Sequence, residues 1–118
     1  MKITIILIAL TIIAFFSLSS LLLASPATDI SQDDFIARQQ VADDFVLLDV
    51  RTKAEFEQGH IKGAVNFSHS ELSDHLQDIP KDKDLIIYCR SGKRAGVAAT
   101  LLSKNGYQKL FHLDGDMN

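Results

Sequence analysis

The chain has 118 residues, 47% of them apolar, and carries 12 lysines and arginines against 15 aspartates and glutamates, a net charge of −3. That length holds one domain, and the acidic balance argues against a general nucleic-acid binder, which would be basic. Cys89 is the only cysteine, which excludes an intramolecular disulfide and a multi-cysteine metal site.

Lys2 is followed by a run without charge from Ile3 to Ala24. Two readings fit it. A cleaved signal peptide needs a basic start, an apolar stretch and small residues at the cut, which Ser25-Pro26-Ala27 supplies for a cut after Ala27. An uncleaved membrane anchor needs about 20 apolar residues to span a bilayer as a helix. Lys2 marks the cytoplasmic side, so both readings export the rest of the chain, either free in a periplasm or anchored and facing outward. The organisation expected is residues 1–27 as signal peptide or anchor and residues 28–118 as a folded domain. Without residues 1–24 the chain keeps 11 basic and 15 acidic residues, so the exported part is the more acidic one.

Ser31-Gln32-Asp33-Asp34 predicts a helix start with Ser31 as N-cap, continued briefly by Phe35, Ile36 and Gln39. Phe45 to Val50 is an apolar run of strand formers. It leads to Asp49 and Arg51, charges at the carboxyl end of a strand, where sites form in open α/β sheets. Thr52-Lys53-Ala54-Glu55 is a capping box opening a short helix that closes at Gly59. Ala64 to Phe67 reads as a short strand, and Ser70 to Gln77 as about two helical turns stopped before Pro80. Leu85 to Tyr88 reads as a strand buried on both faces. Ala95 to Lys104, rich in Ala and Leu, reads as a helix ending at Asn105-Gly106. Lys109 to Leu113 is a last strand. The alternation predicts an α/β fold, a central, mostly parallel β-sheet flanked by helices on both faces.

Between the strand at Tyr88 and the helix at Ala95 lies Cys89-Arg90-Ser91-Gly92-Lys93-Arg94, a tight turn with one glycine and three cations. A thiol placed there meets unpaired backbone N–H groups and the positive end of a helix dipole. Arg90, Lys93 and Arg94 add formal charge. These influences favour thiolate over thiol and make Cys89 a nucleophile near neutral pH. The competing reading is an inert buried cysteine, which three cations within five residues make hard to sustain.

Leu48-Asp49-Val50-Arg51, Glu55-Phe56 and Gly59-His60-Ile61-Lys62-Gly63-Ala64 together resemble the first signature of the rhodanese family of sulfurtransferases. The loop from Cys89 to Arg94 resembles that family's active-site loop, and Leu113-Asp114-Gly115 the start of its C-terminal signature. The resemblance covers roughly residues 29–117, and it is to small single-domain rhodaneses exported by bacteria. Asp116 departs from the family, which often has a second glycine there. The aromatic residues and last helix with which the family usually continues do not follow before Asn118.

The resemblance implies that Cys89 is the catalytic nucleophile and carries a persulfide, formed from a donor such as thiosulfate and passed to cyanide or a thiol. Arg90, Ser91, Gly92, Lys93 and Arg94 form the substrate-binding loop. Its backbone N–H groups cradle the persulfide, Arg90 and Lys93 steer the donor, and Arg94 ties the loop inward to an acid such as Asp49 or Glu55. Asp49 and Arg51 support the site, as an ion pair bracing it, and His60 is a structural hydrogen-bonder. No cofactor and no metal are expected. The partners are a small-molecule sulfur donor and acceptor, without nucleic acid, and with membrane attachment only through the N-terminal segment. Two rival classes share the framework: a cysteine-dependent phosphatase or arsenate reductase, and a non-catalytic binding module of the same fold. The phosphatase loops that resemble this one are a residue longer, and the binding modules typically lack the cysteine.

Overall fold

A computed structural model describes residues 25–117. The strands are β1 (Thr28–Ile30), β2 (Phe45–Asp49), β3 (Val65–Asn66), β4 (Asp84–Tyr88) and β5 (Leu110–Leu113). The helices are α1 (Gln32–Val41), α2 (Lys53–Gln58) and α3 (Lys93–Lys104), with a 3-10 helix over Leu72–Asp78. The strands form one five-stranded sheet in the order β1-β5-β4-β2-β3. Every pair is parallel, so the sheet is wholly rather than mostly parallel.

Alternation along the two central strands divides the core between the faces. Leu48 and Val50 from the β2 segment and Leu85, Ile87 and Cys89 from the β4 segment face α3. That helix meets them with Ala95, Ala98, Ala99 and Leu102, all buried at helical spacing. Leu47, Ile86 and Tyr88 point the other way, toward Phe35 of α1. The small alanines let α3 lie close over β4, which fixes its N-terminus against the end of that strand.

The capping box predicted at Thr52 is present in full, with Thr52 Oγ1 accepting from Glu55 N and Glu55 Oε1 accepting from Thr52 N. Ser31 Oγ accepts from Asp34 N at 3.1 Å, starting α1 where expected. That helix runs on to Val41, further than the short pattern after Ser31 suggested. Three other elements differ from the sequence reading. Strand β1 has no apolar pattern of its own and exists through its pairing with β5. Strand β3 is only two residues. The turns predicted over residues 70–77 are a 3-10 helix one to two residues later. No side chain caps it at Glu71, and tertiary contacts hold it instead: Leu72 is buried, and Tyr107 Oη lies 2.7 Å from Leu76 O and 2.8 Å from Ile79 O.

Among the described residues no helix is long and apolar enough to cross a membrane. The run from Ile3 to Ala24, read as signal peptide or anchor, lies outside the described residues.

Candidate active site

Cys89 follows the last residue of β4, at the carboxyl end of the central strand, and is fully buried. Parallel strands end together, so this edge collects the ends of β2, β3 and β4. Four residues later α3 begins, with Gly92 at its N-cap position. Gly92 has φ +95°, a left-handed conformation that favours glycine, and a Cβ there would stand 3.1 Å from Asp116 Oδ2. The N-cap glycine brings no side-chain acceptor to the helix. The Cys89 sulfur takes that place. Gly92 N donates to Sγ at 3.0 Å, and Ala95 N, the third residue of the helix, donates to it at 3.4 Å. A serine or aspartate N-cap satisfies the same N–H group in an ordinary helix. Here a sulfur anion would enjoy both donors and the helix dipole.

The three cations of the loop separate into two kinds. Arg90 and Lys93 are exposed and make no side-chain hydrogen bond or ion pair among the described residues. Arg94 is half-buried and grips Glu55 with two parallel bonds, Nη1–Oε1 at 2.6 Å and Nη2–Oε2 at 3.0 Å. That grip, helped by Thr52, lowers Glu55 to about 2, against an ordinary value of 4.5. It also raises Arg94. Of the two acids considered for Arg94, Glu55 is the partner, and the bond ties α3 to the start of α2. The Arg94 guanidinium thus braces the loop against α2. Ser91 is exposed, and Gly92 contributes its N–H.

Asp49 and Arg51 form the buried ion pair expected of them. Arg51 Nη2 lies 2.7 Å from Asp49 Oδ2 and donates to Gly59 O at 2.7 Å. Asp49 Oδ1 also accepts from Arg51 N at 2.9 Å. Asn66 Nδ2 closes the cluster on the carbonyls of Asp49 and Arg51. The Arg51 guanidinium carbon sits 5.7 Å from the Tyr88 ring centroid. Burial, followed by the contact with Asp49, pushes the Tyr88 hydroxyl up to about 12. All of these bonds brace the β2 end and the loop after it, and none touches the sulfur. His60 is structural as expected, with Nδ1 2.8 Å from Phe56 O and its ring stacked 3.6 Å from that of Phe56.

The model of the family described as "Rhodanese-like domain" matches residues 31–118. The chain belongs to the rhodanese family. It is 36% identical over 87 residues to a protein named "Sulfurtransferase" from Allochromatium vinosum, covering 74% of this chain and 81% of that one. It is 31% identical over 70 residues to the thiosulfate sulfurtransferase GlpE of Pseudomonas syringae, covering 59% and 66%. Among solved structures it superposes on reduced CoADR-RHD of Bacillus anthracis with a TM-score of 0.69 and 35% identity, covering 77% of this chain but only 16% of that one. The relatives named in this way place the domain in a family of sulfurtransferase or sulfur-carrier type.

One neighbour of Cys89 carries no signal in the sequence beyond a departure from glycine: Asp116 Oδ1 accepts from Cys89 N at 2.9 Å. His112 Nε2 lies 3.0 Å from Asp116 Oδ2, and His112 Nδ1 lies 3.1 Å from Asp29 Oδ1. The spacing of four between His112 and Asp116 points nowhere until the chain closes over the loop.

Proposed function

We propose that this rhodanese domain moves a sulfane sulfur from thiosulfate, or a similar donor, to cyanide or a thiol through a persulfide on Cys89. The observation that carries the reading is the Cys89 sulfur seated on two N–H donors at the N-terminus of α3. The Cys89 thiolate attacks the outer sulfur of thiosulfate. The sulfur–sulfur bond of the donor breaks, and sulfite leaves with the bonding pair. The outer sulfur stays on Cys89 as a persulfide anion. An acceptor thiolate or cyanide then attacks that outer sulfur and returns Cys89 as thiolate. No net oxidant or reductant is consumed, and the two half-reactions predict ping-pong kinetics. Arg90 and Lys93, exposed beside the loop, draw in an anionic donor. The naming of relatives as a sulfurtransferase and a thiosulfate sulfurtransferase supports this reading.

The phosphatase reading is weaker on two counts. The loop has four residues between Cys89 and Arg94, and the cation that closes it is already held by Glu55. A bound phosphate brings three further oxygens, and each left desolvated and unpaired costs roughly 1–3 kcal/mol or more. A persulfide adds one sulfur atom. The test is a paired assay of the purified protein with thiosulfate plus cyanide and with an aryl phosphate. Cys89→Ser abolishes thiocyanate formation, leaves the fold intact, and removes the added sulfur seen by mass spectrometry after thiosulfate treatment. Substantial thiocyanate formation by that variant, or faster turnover of the phosphate ester by the wild type, would sink the reading.

A further inference from the structure

Asp116 has φ +50°, the one non-glycine residue at positive φ among those described. A left-handed aspartate is tolerated but costs more than glycine in the same place. The conformation sets its carboxylate against the sulfur loop at two points. Oδ1 accepts from Cys89 N at 2.9 Å. Oδ2 fills the space beside Gly92, 3.1 Å from where a Cβ would sit, and Gly92 N is one of the two donors to the sulfur. The next residue completes the grip, Met117 N donating to Cys89 O at 3.2 Å. Both polar groups of the Cys89 backbone are thus tied to the Asp116-Met117 turn.

His112 stands behind the carboxylate. Its two ring nitrogens each face an acid, Nε2 against Asp116 and Nδ1 against Asp29 on β1. A neutral imidazole has one N–H, so it can donate to only one of them. The imidazolium donates to both. The side chain of Asp116 is only 4% exposed while that of Asp29 is 76% exposed. Water can replace the ring at Asp29 but not at Asp116, so a neutral ring keeps its N–H for Asp116 and releases Asp29. Gly92 of the loop, beside the ring, and Ile87, the partner of His112 on β4, carry no charge.

Resting on the reading of Cys89 as sulfur carrier, we propose that Asp116 is a positioning residue for the sulfur loop and that His112 fixes it in place. Asp116 aims the Cys89 peptide and the Gly92 N–H so that the sulfur keeps both donors. His112, set between Asp116 and Asp29, links the Asp116 turn to β1.

The test uses the full chain in mild detergent, with three variants. Asp116→Gly suits the positive φ, so the fold is kept while the acceptor is lost. Its kcat for thiocyanate formation falls about tenfold, the scale of one positioned hydrogen bond, with a smaller change in KM for thiosulfate. The Cys89 amide proton moves upfield in its NMR spectrum. Asp116→Asn, which keeps an oxygen for Cys89 N, recovers most of the lost kcat. At one fixed pH the Cys89 amide resonance of His112→Gln is displaced from its wild-type position, because the Asp116 carboxylate has lost the ring that holds it. An unmoved Cys89 amide resonance or an unchanged kcat in Asp116→Gly overturns the proposal, as does a Cys89 amide resonance that stays at its wild-type position in His112→Gln. If the wild type transfers no sulfur, the reading of function fails instead, and the amide resonances alone decide the role of Asp116.

Discussion

Cys89 does two jobs with one atom. Its sulfur satisfies N–H groups that a cap side chain would otherwise hold, so the nucleophile is also part of the start of α3. Serine at position 89 can accept the same bonds, which is why the Cys89→Ser fold should survive. The cationic loop and its helix were legible in the residues, because Gly and clustered Arg and Lys between an apolar strand and an Ala-rich helix permit few other arrangements. The residues alone offer Arg94 two acids. Choosing Glu55 needs the relative placement of α2 and α3, which no local pattern encodes. That pair also makes a prediction about pH. Glu55 is lowered to about 2 from 4.5, so in the folded protein it stays charged below the pH at which the unfolded chain protonates it. Its contribution is complete above about 4.5 and is lost as pH falls through about 2. Urea midpoints measured from neutral pH down to acid should therefore fall more steeply for the wild type than for Glu55→Gln. Parallel curves would show that the Arg94 bond adds no stability.

At the scale of elements, β2, β4 and α3 were readable because their burial is written in their own composition. Strand β1 was not: Thr28, Asp29 and Ile30 carry no strand pattern and pair only because β5 offers an edge. The 3-10 helix was misplaced for a related reason, since what fixes it is Tyr107, 28 positions beyond Ile79. Tyr107→Phe removes the hydroxyl shared by Leu76 O and Ile79 O, and should lower stability by about 1 kcal/mol without changing sulfur transfer. Denaturant titration checks it, and a drop in activity at unchanged stability would contradict it. The junction of β4 and α3 should be far less forgiving. One residue inserted between Gly92 and Lys93 carries Ala95 N around the helix axis, away from the sulfur it now meets at 3.4 Å. Thiocyanate formation should fall at least about tenfold, and retention of wild-type rates would mean that loop length does not select the chemistry.

For the whole molecule, we propose that the domain works outside the cytoplasm, on the strength of the uncharged run from Ile3 to Ala24 after Lys2. A reporter fused after Asn118 should be active only on the outer side of the membrane; cytoplasmic activity would refute export. The all-parallel sheet gives that arrangement a direction. Thr28 is level with Phe111, and Phe111 with Ile86, so the chain joins the sheet three residues before Cys89 along the strand axis. Strands rise about 3.3 Å per residue, which puts the point of attachment about 10 Å behind the sulfur. A tether through Ala27 would therefore hold the domain by its back. The sulfur would look away from the surface, toward acceptors that diffuse or dock from the far side, and a reaction partner lying flat in the same membrane would have to reach around the sheet to collect it.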